Sequence, residues 1–274
     1  MSKLNVYIDG SWLFKACAPR GVLAAHMEYS DQAVLIDFAQ LDMILLDHAK
    51  AHDPDCTELG ERYIGMSIFT LPFDFTGWPA QHGGINRDHV EQTKRVVFAR
   101  NRFINSTTDA GYRYCSVGRQ LLTPWILRLL IDDNQHYHEK EVDGTLIALL
   151  VEAATETPSD QQCVITGDAD FLAAVRATRR ERDRNVILAT TRPDEAKAEH
   201  RQSSFALNNF GFRIPPIYLQ DNLLEIVRGS YASECCQCRR VFSRSYPIPN
   251  YLPRCGPCYD DKIHNRRPYR DCGV

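Results

Sequence analysis

An apolar run near the amino end, Leu4-Asn5-Val6-Tyr7-Ile8, leads directly into Asp9-Gly10. A short apolar run that ends in Asp-Gly predicts a buried strand followed by a turn. A second such run, Cys163 to Thr166, leads into Gly167 and Asp168, and we expect this glycine to let the backbone turn tightly. Asp9 and Asp168 therefore both lie just beyond the end of a predicted strand.

The rest of the first 230 residues alternates between strand-like and helix-like segments. Further strands are predicted at Tyr63–Leu71, Tyr112–Val117, Val186–Ala189 and Ile217–Leu219. Apolar residues at helical spacing predict helices at Val34–Ala49, His89–Ile104, Val142–Ala154, Phe171–Glu181, Ala196–Asn209 and Asn222–Val227. This alternation predicts an α/β fold with a mainly parallel sheet covered by helices on both faces. Ligands in such folds bind beyond the carboxyl ends of the strands.

Aspartates also lie in phase with the buried faces of two predicted helices. Asp143 precedes an apolar stripe formed by Leu146, Ile147, Leu150 and Val151, and Asp168 precedes one formed by Phe171, Leu172 and Val175. A buried carboxylate without a partner is costly, and a shared divalent cation removes that cost. We therefore predict that four aspartates bind Mg²⁺ or Mn²⁺ at one rim of the sheet: Asp9, Asp143, Asp168 and Asp170. For each aspartate alone, the alternative is a helix N-cap.

The composition sets limits on the class of protein. A chain of 274 residues is long enough for one large domain, or for one domain and a small module. The net charge of −3 excludes a uniformly basic nucleic-acid binder, so such binding would have to come from local patches. The amino terminus lacks the apolar segment of a signal peptide, and the longest apolar run, Leu146 to Val151, is too short to cross a bilayer. We expect a cytoplasmic location and no membrane association.

Three motifs resemble those of NYN domains, which are PIN-like nucleases. They are Tyr7-Ile8-Asp9-Gly10-Ser11, Lys140-Glu141-Val142-Asp143 and Thr166-Gly167-Asp168-Ala169-Asp170-Phe171, and they come in the order found in that family. The resemblance implies a three-layer α/β/α PIN-like domain, metal-dependent ribonuclease activity and an acidic metal site at the same four aspartates. Two hydroxyl residues of these motifs, Ser11 and Thr166, are expected to contact the substrate, with Thr166 in place of the family's usual serine.

One position departs from the family's pattern, in which an asparagine follows the first aspartate as Asp-x-x-Asn. Here that residue is Trp12. Its ring is expected either to pack on the core or to stack on a base of the substrate. Two basic residues are predicted to reach a substrate phosphate: Arg119, in the loop after a strand, and Lys140, just before Asp143.

The last forty residues hold six of the ten cysteines. Four of them have the spacing C-x2-C-x16-C-x2-C, which favours a tetrahedral Zn²⁺ site: Cys235, Cys238, Cys255 and Cys258. Cys236 cannot form the same knuckle, and Cys272 and His264 are alternative ligands. The change in cysteine density predicts an NYN/PIN-like domain at 1–229 and a zinc-ribbon-like module at 230–274. The module is rich in arginine and tyrosine, which suits either nucleic-acid contacts or a solvated surface.

Taken together, these features predict a metal-dependent endoribonuclease that uses Mg²⁺ or Mn²⁺ and has a structural Zn²⁺. Single-stranded RNA is the favoured partner, DNA is not excluded, and a homo-oligomer is left open. The alternative is a catalytically weak or inactive RNA-binding or adaptor protein on the same fold, which Trp12 favours. A phosphatase of the haloacid-dehalogenase type is disfavoured because it needs a second aspartate where this chain has Ser11.

Overall fold

Strands and helices alternate along most of the chain in a computed structural model. It describes residues 1–131, 140–182, 186–193, 206–229, 231–244, 248 and 253–265, with the backbone alone at 140, 179–182 and 261–265. The strands are β1 (Ser2–Asp9), β2 (Cys56–Gly65), β3 (Ile68–Thr70), β4 (Arg113–Tyr114), β5 (Arg119–Leu121), β6 (Gln161–Ile165), β7 (Val186–Thr190), β8 (Ile217–Tyr218), β9 (Tyr231–Glu234) and β10 (Val241–Arg244). The helices are α1 (Gly10–Cys17), α2 (Phe38–His52), α3 (Trp78–Gln81), α4 (Arg87–Asp109), α5 (Pro124–Ile131), α6 (Lys140–Glu156), α7 (Leu172–Arg182), α8 (Leu223–Ile226) and α9 (Gly256–Asn265).

Six parallel strands form the central sheet, in the order β4-β2-β1-β6-β7-β8. Side chains alternate between its faces along β1, as the two-residue period of a strand requires. Leu4, Val6 and Ile8 enter a core shared with α1 and α2, whereas Tyr7 enters a second core shared with α6 and α7. The predicted α/β fold with helices on both faces of a parallel sheet is therefore confirmed.

The sheet order reverses direction beside β1. From β1 the chain builds outward through β2 and β4 on one side, and it later builds through β6, β7 and β8 on the other. The boundary between β1 and β6 is thus a topological switch point, where parallel sheets bind ligands. The register pairs Ile8 with Ile165, so Asp9 and Thr166 follow at neighbouring carboxyl ends.

The prediction of a single strand at Tyr63–Leu71 was wrong. The chain leaves the central sheet after Gly65, and β3 then pairs with β5 in a separate two-stranded sheet. This small sheet, together with α3, α5 and the first half of α4, encloses its own core, and we call this unit the outer lobe. Its buried residues are Phe69, Phe75, Trp78, Ile85, Val90, Val97, Leu122 and Leu127. Because these residues bury one another, the lobe has an apolar core of its own and its strands do not pair with the central sheet.

Smaller differences from the predicted elements have local causes. Helix α2 begins at Phe38 rather than at Val34 because the side chain of Asp37 caps it, accepting hydrogen bonds from the N–H groups of Ala39 and Gln40. The predicted strand at Tyr112–Val117 shortens to β4 and a 3₁₀ turn. Most of the helix predicted at Ala196–Asn209 lies outside the described residues, although residues 206–208 are helical.

The cysteine-rich tail packs against the main body. Strands β9 and β10 form an antiparallel hairpin, and Val241 of β10 lies in the core shared with α1 and α2. A bridge between Met27 and Val241 continues this contact along the backbone. Within the described ranges, no helix is both long enough and apolar enough to span a membrane.

Candidate metal centre

Asp9 lies at the centre of the candidate site and is almost fully buried, with 5% of its surface exposed. It is both the last residue of β1 and the N-cap of α1, because its Oδ1 accepts a hydrogen bond of 2.9 Å from the N–H of Trp12. The local alternative, a helix cap, is therefore correct for this residue. The capping bond uses one oxygen only, and the other is turned toward β6.

Thr166 joins Asp9 to Asp168. The Thr166 side chain is fully buried, and its hydroxyl donates to Oδ2 of Asp9 at 2.8 Å. The same hydroxyl oxygen accepts a hydrogen bond of 2.9 Å from the N–H of Asp168. A single hydroxyl thus fixes the orientation of one carboxylate and the backbone position of the next. This contact is within the protein, whereas the sequence predicted a contact between Thr166 and the substrate.

Asp143 approaches the same rim from the first turn of α6. Its helix can pack closely because Gly65 ends β2 without a side chain: a Cβ there would lie 2.7 Å from Val142 and 2.6 Å from Leu146. Gly65 is also the strand partner of Asp9. Sequence reasoning missed Gly65, because this glycine lay inside the single strand predicted at Tyr63–Leu71. The start of a helix also favours a carboxylate electrostatically.

The charges of Asp143 and Asp168 both act on the buried carboxylate of Asp9. Burial raises the pKa of Asp9 from its ordinary value of 3.8 to about 7. The hydrogen bonds from Trp12 and Thr166 oppose this rise, whereas the charges of Asp143 and Asp168 add to it. A buried carboxylate that has further acids close to it is a setting that a divalent cation stabilises. The donor set, hard carboxylate oxygens with a hydroxyl that orients one of them, fits Mg²⁺ or Mn²⁺.

The spacing of the carboxylates is looser than that of the cysteines. Among the residues that the structure describes, only the four cysteines of the tail form a group of three or more ligating side chains whose ligand atoms all lie within 4.8 Å of one another. No three of the four aspartates reach this spacing.

Asp170 lies at the outer side of the site. Its side chain is exposed, and its N–H donates to Oδ1 of Asp168 at 3.0 Å, so Asp168 caps the 3₁₀ turn that precedes α7. Phe171, Leu172 and Val175 are buried as their phase predicted. The structure thus places Asp170 beside Asp168, on the solvent side.

Trp12 packs on the core at the edge of the site. It is partly buried against the core shared with α1 and α2, and its indole lies directly on Gly167. A Cβ on Gly167 would come within 2.0 Å of the indole Nε1. The chain bends at Gly167 as expected, but its φ lies outside the left-handed region, so the close contact with Trp12 is what requires a glycine here.

The remaining predicted substrate residues lie at different depths. Ser11 is buried in the first turn of α1. Arg119 is exposed and begins β5 of the outer lobe, not a loop, with its guanidinium 5.8 Å from the ring centroid of Tyr114. The side chain of Lys140 lies outside the described residues.

The four cysteines of the tail cluster as their spacing predicted. Cys235 and Cys238 lie between β9 and β10, and Cys255 and Cys258 lie at the start of α9. The Sγ atoms of Cys238 and Cys255 are 3.6 Å apart, close to the separation of about 3.8 Å expected for thiolates around one Zn²⁺. Although burial alone raises it, N–H groups of Cys238, Cys255 and Gln237 lower the pKa of Cys235 to about 7. Such a thiolate is ready to bind a metal.

Cys236, the additional cysteine of the first knuckle, makes a backbone contact within the tail. The N–H of Cys236 donates to the carbonyl of Pro253, which ties the two knuckles together through the backbone. Cys272 and the side chain of His264 lie outside the described residues.

Glu28 fastens the cysteine cluster to the main body. It is 6% exposed and accepts hydrogen bonds of 2.6 and 2.8 Å from the guanidinium of Arg244. It also accepts one from the N–H of Gly256, which lies between two of the clustered cysteines. Burial alone raises the pKa of Glu28, but Arg244 and Gly256 outweigh it and hold the pKa below its ordinary value.

Comparisons with known proteins agree with the second and third of the three motifs. Residues 99–206, which are less than half of the chain, match the family model described as the NYN domain. A crystal structure of a protein of unknown function from Vibrio parahaemolyticus is similar at 12% identity and a TM-score of 0.41, over 83% of this chain and 96% of that one. That score is too low to support an inference. No curated protein matches the chain. The resemblance to NYN domains, predicted from three motifs, is confirmed for residues 99–206, which include Asp143, Asp168 and Asp170.

Proposed function

We propose that this protein is a metal-dependent nuclease that hydrolyses phosphodiester bonds of single-stranded RNA, with Mg²⁺ or Mn²⁺ bound by Asp9, Asp143, Asp168 and Asp170. One observation supports it most strongly. Asp9 is buried at the switch point of the sheet, and this burial raises its pKa to about 7, with a further contribution from the charges of Asp143 and Asp168. Buried acids placed close together destabilise a fold, so their presence indicates a functional site. The match to the NYN domain supports metal-dependent nuclease activity as that function.

Each residue has a role that follows from its position. A bound divalent cation would supply Lewis acidity and a water of lowered pKa. Asp9, Asp143 and Asp168 would hold it from the protein side, and Asp170 would meet it from the solvent side. Thr166 keeps one oxygen of Asp9 fixed through its hydrogen bond of 2.8 Å. Trp12 and Gly167 close the inner edge of the site through their direct contact.

Loss of Asp168 tests the nuclease directly. We expect the wild-type chain to cleave labelled single-stranded RNA in the presence of Mn²⁺, and Asp168→Ala to lose at least about a hundredfold in rate, because loss of even an outer-shell partner costs about 10- to 100-fold. Asp47→Ala is the matched control, since Asp47 is an exposed acid on α2. A wild type without activity, or an Asp168→Ala variant with unchanged activity, contradicts the proposal.

The second candidate is an RNA-binding or adaptor protein of the same fold without turnover. The observation that favours it is Trp12, which stands at the family's asparagine position and lies on Gly167 instead of offering a polar group. This candidate predicts RNA binding without cleavage in wild type. It also predicts a gain of cleavage in Trp12→Asn, where the polar group is restored. Binding by fluorescence anisotropy and cleavage on gels, measured on the same samples, separate the two candidates.

We further propose that Cys235, Cys238, Cys255 and Cys258 bind one structural Zn²⁺. Metal analysis of the purified protein should find one zinc per chain, and Cys255→Ser should lose it. Cys236→Ser is the control, because the contact that Cys236 makes with Pro253 goes through its backbone N–H. The zinc content of this variant should equal that of the wild type. Retention of zinc in Cys255→Ser contradicts this assignment.

Three further points from the sequence call for separate tests: cleavage of DNA beside RNA, assembly into a homo-oligomer, and the proposed cytoplasmic location. Parallel assays on RNA and DNA of one sequence, light scattering, and imaging of a tagged chain address them in turn.

A further inference from the structure

We propose that the outer lobe is a binding platform for single-stranded RNA, which contacts the exposed side chains of β5 and α5. This inference rests on the proposed function and extends it, because it names residues outside the acidic site that would hold the substrate chain. The four residues concerned are Arg119, Leu121, Trp125 and Arg128.

The lobe is built onto the rim at which the aspartates lie. Gly65 pairs with Asp9, β3 begins three residues later, and Ile68 of β3 pairs with Arg119 of β5. Neighbouring strands are about 4.8 Å apart and a residue spans at most about 3.6 Å, so the Cα atoms of Arg119 and Asp9 lie within roughly 20 Å. A nucleic-acid strand bound at the acidic site therefore has the lobe within reach.

Two large apolar side chains of β5 and α5 are exposed. Leu121 is 58% exposed and Trp125 is 67% exposed, whereas Leu127 of the same helix is buried in the lobe core. Trp125 and Arg128 are three residues apart, so they share one side of α5, and both are exposed. An exposed tryptophan beside an arginine is the combination on which bases of a single strand stack.

The charge of this segment favours a polyanion. Residues 114–131 contain two arginines, Arg119 and Arg128, and no acidic residue, although the whole chain has a net charge of −3; Arg113, just before them in β4, is already paired with Glu61. A chain with excess negative charge needs such a local basic segment next to an acidic site to attract phosphates. Single-stranded RNA fits better than a duplex because stacking on Trp125 needs an unpaired base.

Binding without turnover tests the platform independently of the nuclease. Anisotropy of a fluorescein-labelled, unstructured RNA is measured on the full chain without added Mg²⁺ or Mn²⁺ and without chelator, so that the tail keeps its metal. We expect Trp125→Ala to bind about tenfold more weakly, which is the loss of one base–aromatic stack, and Trp125→Phe to retain binding. Arg128→Ala should reduce the salt dependence of binding by about one phosphate contact. Met43→Ala, at an exposed apolar residue of α2, should bind as wild type does.

The possible outcomes are decisive for the platform. Unchanged affinity in both Trp125→Ala and Arg128→Ala overturns it, as does equal loss for a duplex of the same sequence. If Trp125→Ala converts an oligomer to a smaller species in light scattering while RNA affinity stays the same, the surface is an interface between copies and the platform is wrong. Cleavage assays report separately: a wild type that binds RNA through Trp125 but does not cleave it contradicts the nuclease and leaves the platform standing.

Discussion

Replacement of Thr166 by valine should shift the pH dependence of the proposed nuclease. Valine has nearly the same shape but no hydroxyl, so Oδ2 of Asp9 loses its 2.8 Å donor and the N–H of Asp168 loses its acceptor. The hydrogen bond from Thr166 lowers the pKa of Asp9 and thereby opposes the effect of burial. Its removal therefore favours the protonated form of Asp9, and protons then compete more strongly with the metal.

The size of the effect follows from the bond that is lost. A hydrogen bond to a charged group contributes about 1.5–3 kcal/mol, and about 1.4 kcal/mol corresponds to one pH unit. The midpoint on the acidic side of the pH–rate profile should therefore move upward by about one to two pH units. At neutral pH the rate should fall by about 10- to 100-fold, and it should recover as the pH rises. Initial rates of Mg²⁺-supported cleavage, measured from neutral to alkaline pH, give this midpoint.

A matched variant separates this role from a general loss of structure. Thr166→Ser keeps the hydroxyl and should keep the wild-type midpoint, even if its lost methyl group costs some stability. The reasoning is refuted if Thr166→Val has the wild-type midpoint, or if its rate falls by the same factor at every pH. It is also refuted if Thr166→Ser behaves like Thr166→Val.

Three further perturbations address the site and its supports. Burial raises the pKa of Asp9 to about 7, above its value in the unfolded chain, so the fold loses stability as the pH rises between about 4 and 7. A cation that binds the ionised site offsets this loss. The gain in Tm on adding Mn²⁺ should therefore be larger at about pH 8 than at about pH 6. Gly65→Ala should destabilise the fold by about 1–3 kcal/mol and weaken Mn²⁺ binding, because the new methyl group would push away the start of α6. Gly144→Ala, with open space around its Cβ in the same helix, should instead stabilise it by about 0.5–1 kcal/mol in chemical denaturation. Glu28→Gln should lower the free energy of unfolding by about 2–3 kcal/mol, because it removes a buried charge-assisted pair with Arg244. Glu58→Gln, in an exposed pair, should change it by less than about 1 kcal/mol. Equal effects of the two substitutions would contradict a specific role of Glu28 in holding the tail.

The candidate site was partly predictable because its first signals are local. Asp9 and Asp168 follow apolar runs, and the positions of runs that form buried strands depend mainly on neighbouring residues. Asp143 was found from its phase on a helix, and the phase of a helix is fixed over a few turns. What these local patterns do not contain is which strand lies next to which. The bond between Thr166 and Asp9 joins residues 157 positions apart, and it exists only because β1 pairs with β6.

The outer lobe shows the same limit for the fold. Tyr63 to Leu71 has the apolar character of one strand, but the chain leaves the central sheet at Gly65 because Ile68 and Phe69 are buried elsewhere. Burial against distant residues outweighs local strand propensity at such points.

The sequence by itself determined the alternation of strands and helices, the position of each aspartate at a strand end or helix start, and the spacing of the four cysteines. These properties follow from short-range periodicity and from the geometry of the knuckle. Only the tertiary structure decided that Gly65 admits α6 to the rim, that Gly167 accommodates Trp12, and that Glu28 joins the cysteine cluster to the body. Each of these contacts joins segments that are far apart in the chain. The two glycine contacts depend on the space left where a side chain is missing, and the Glu28 contact depends on a buried charge that meets its partner only in the folded chain.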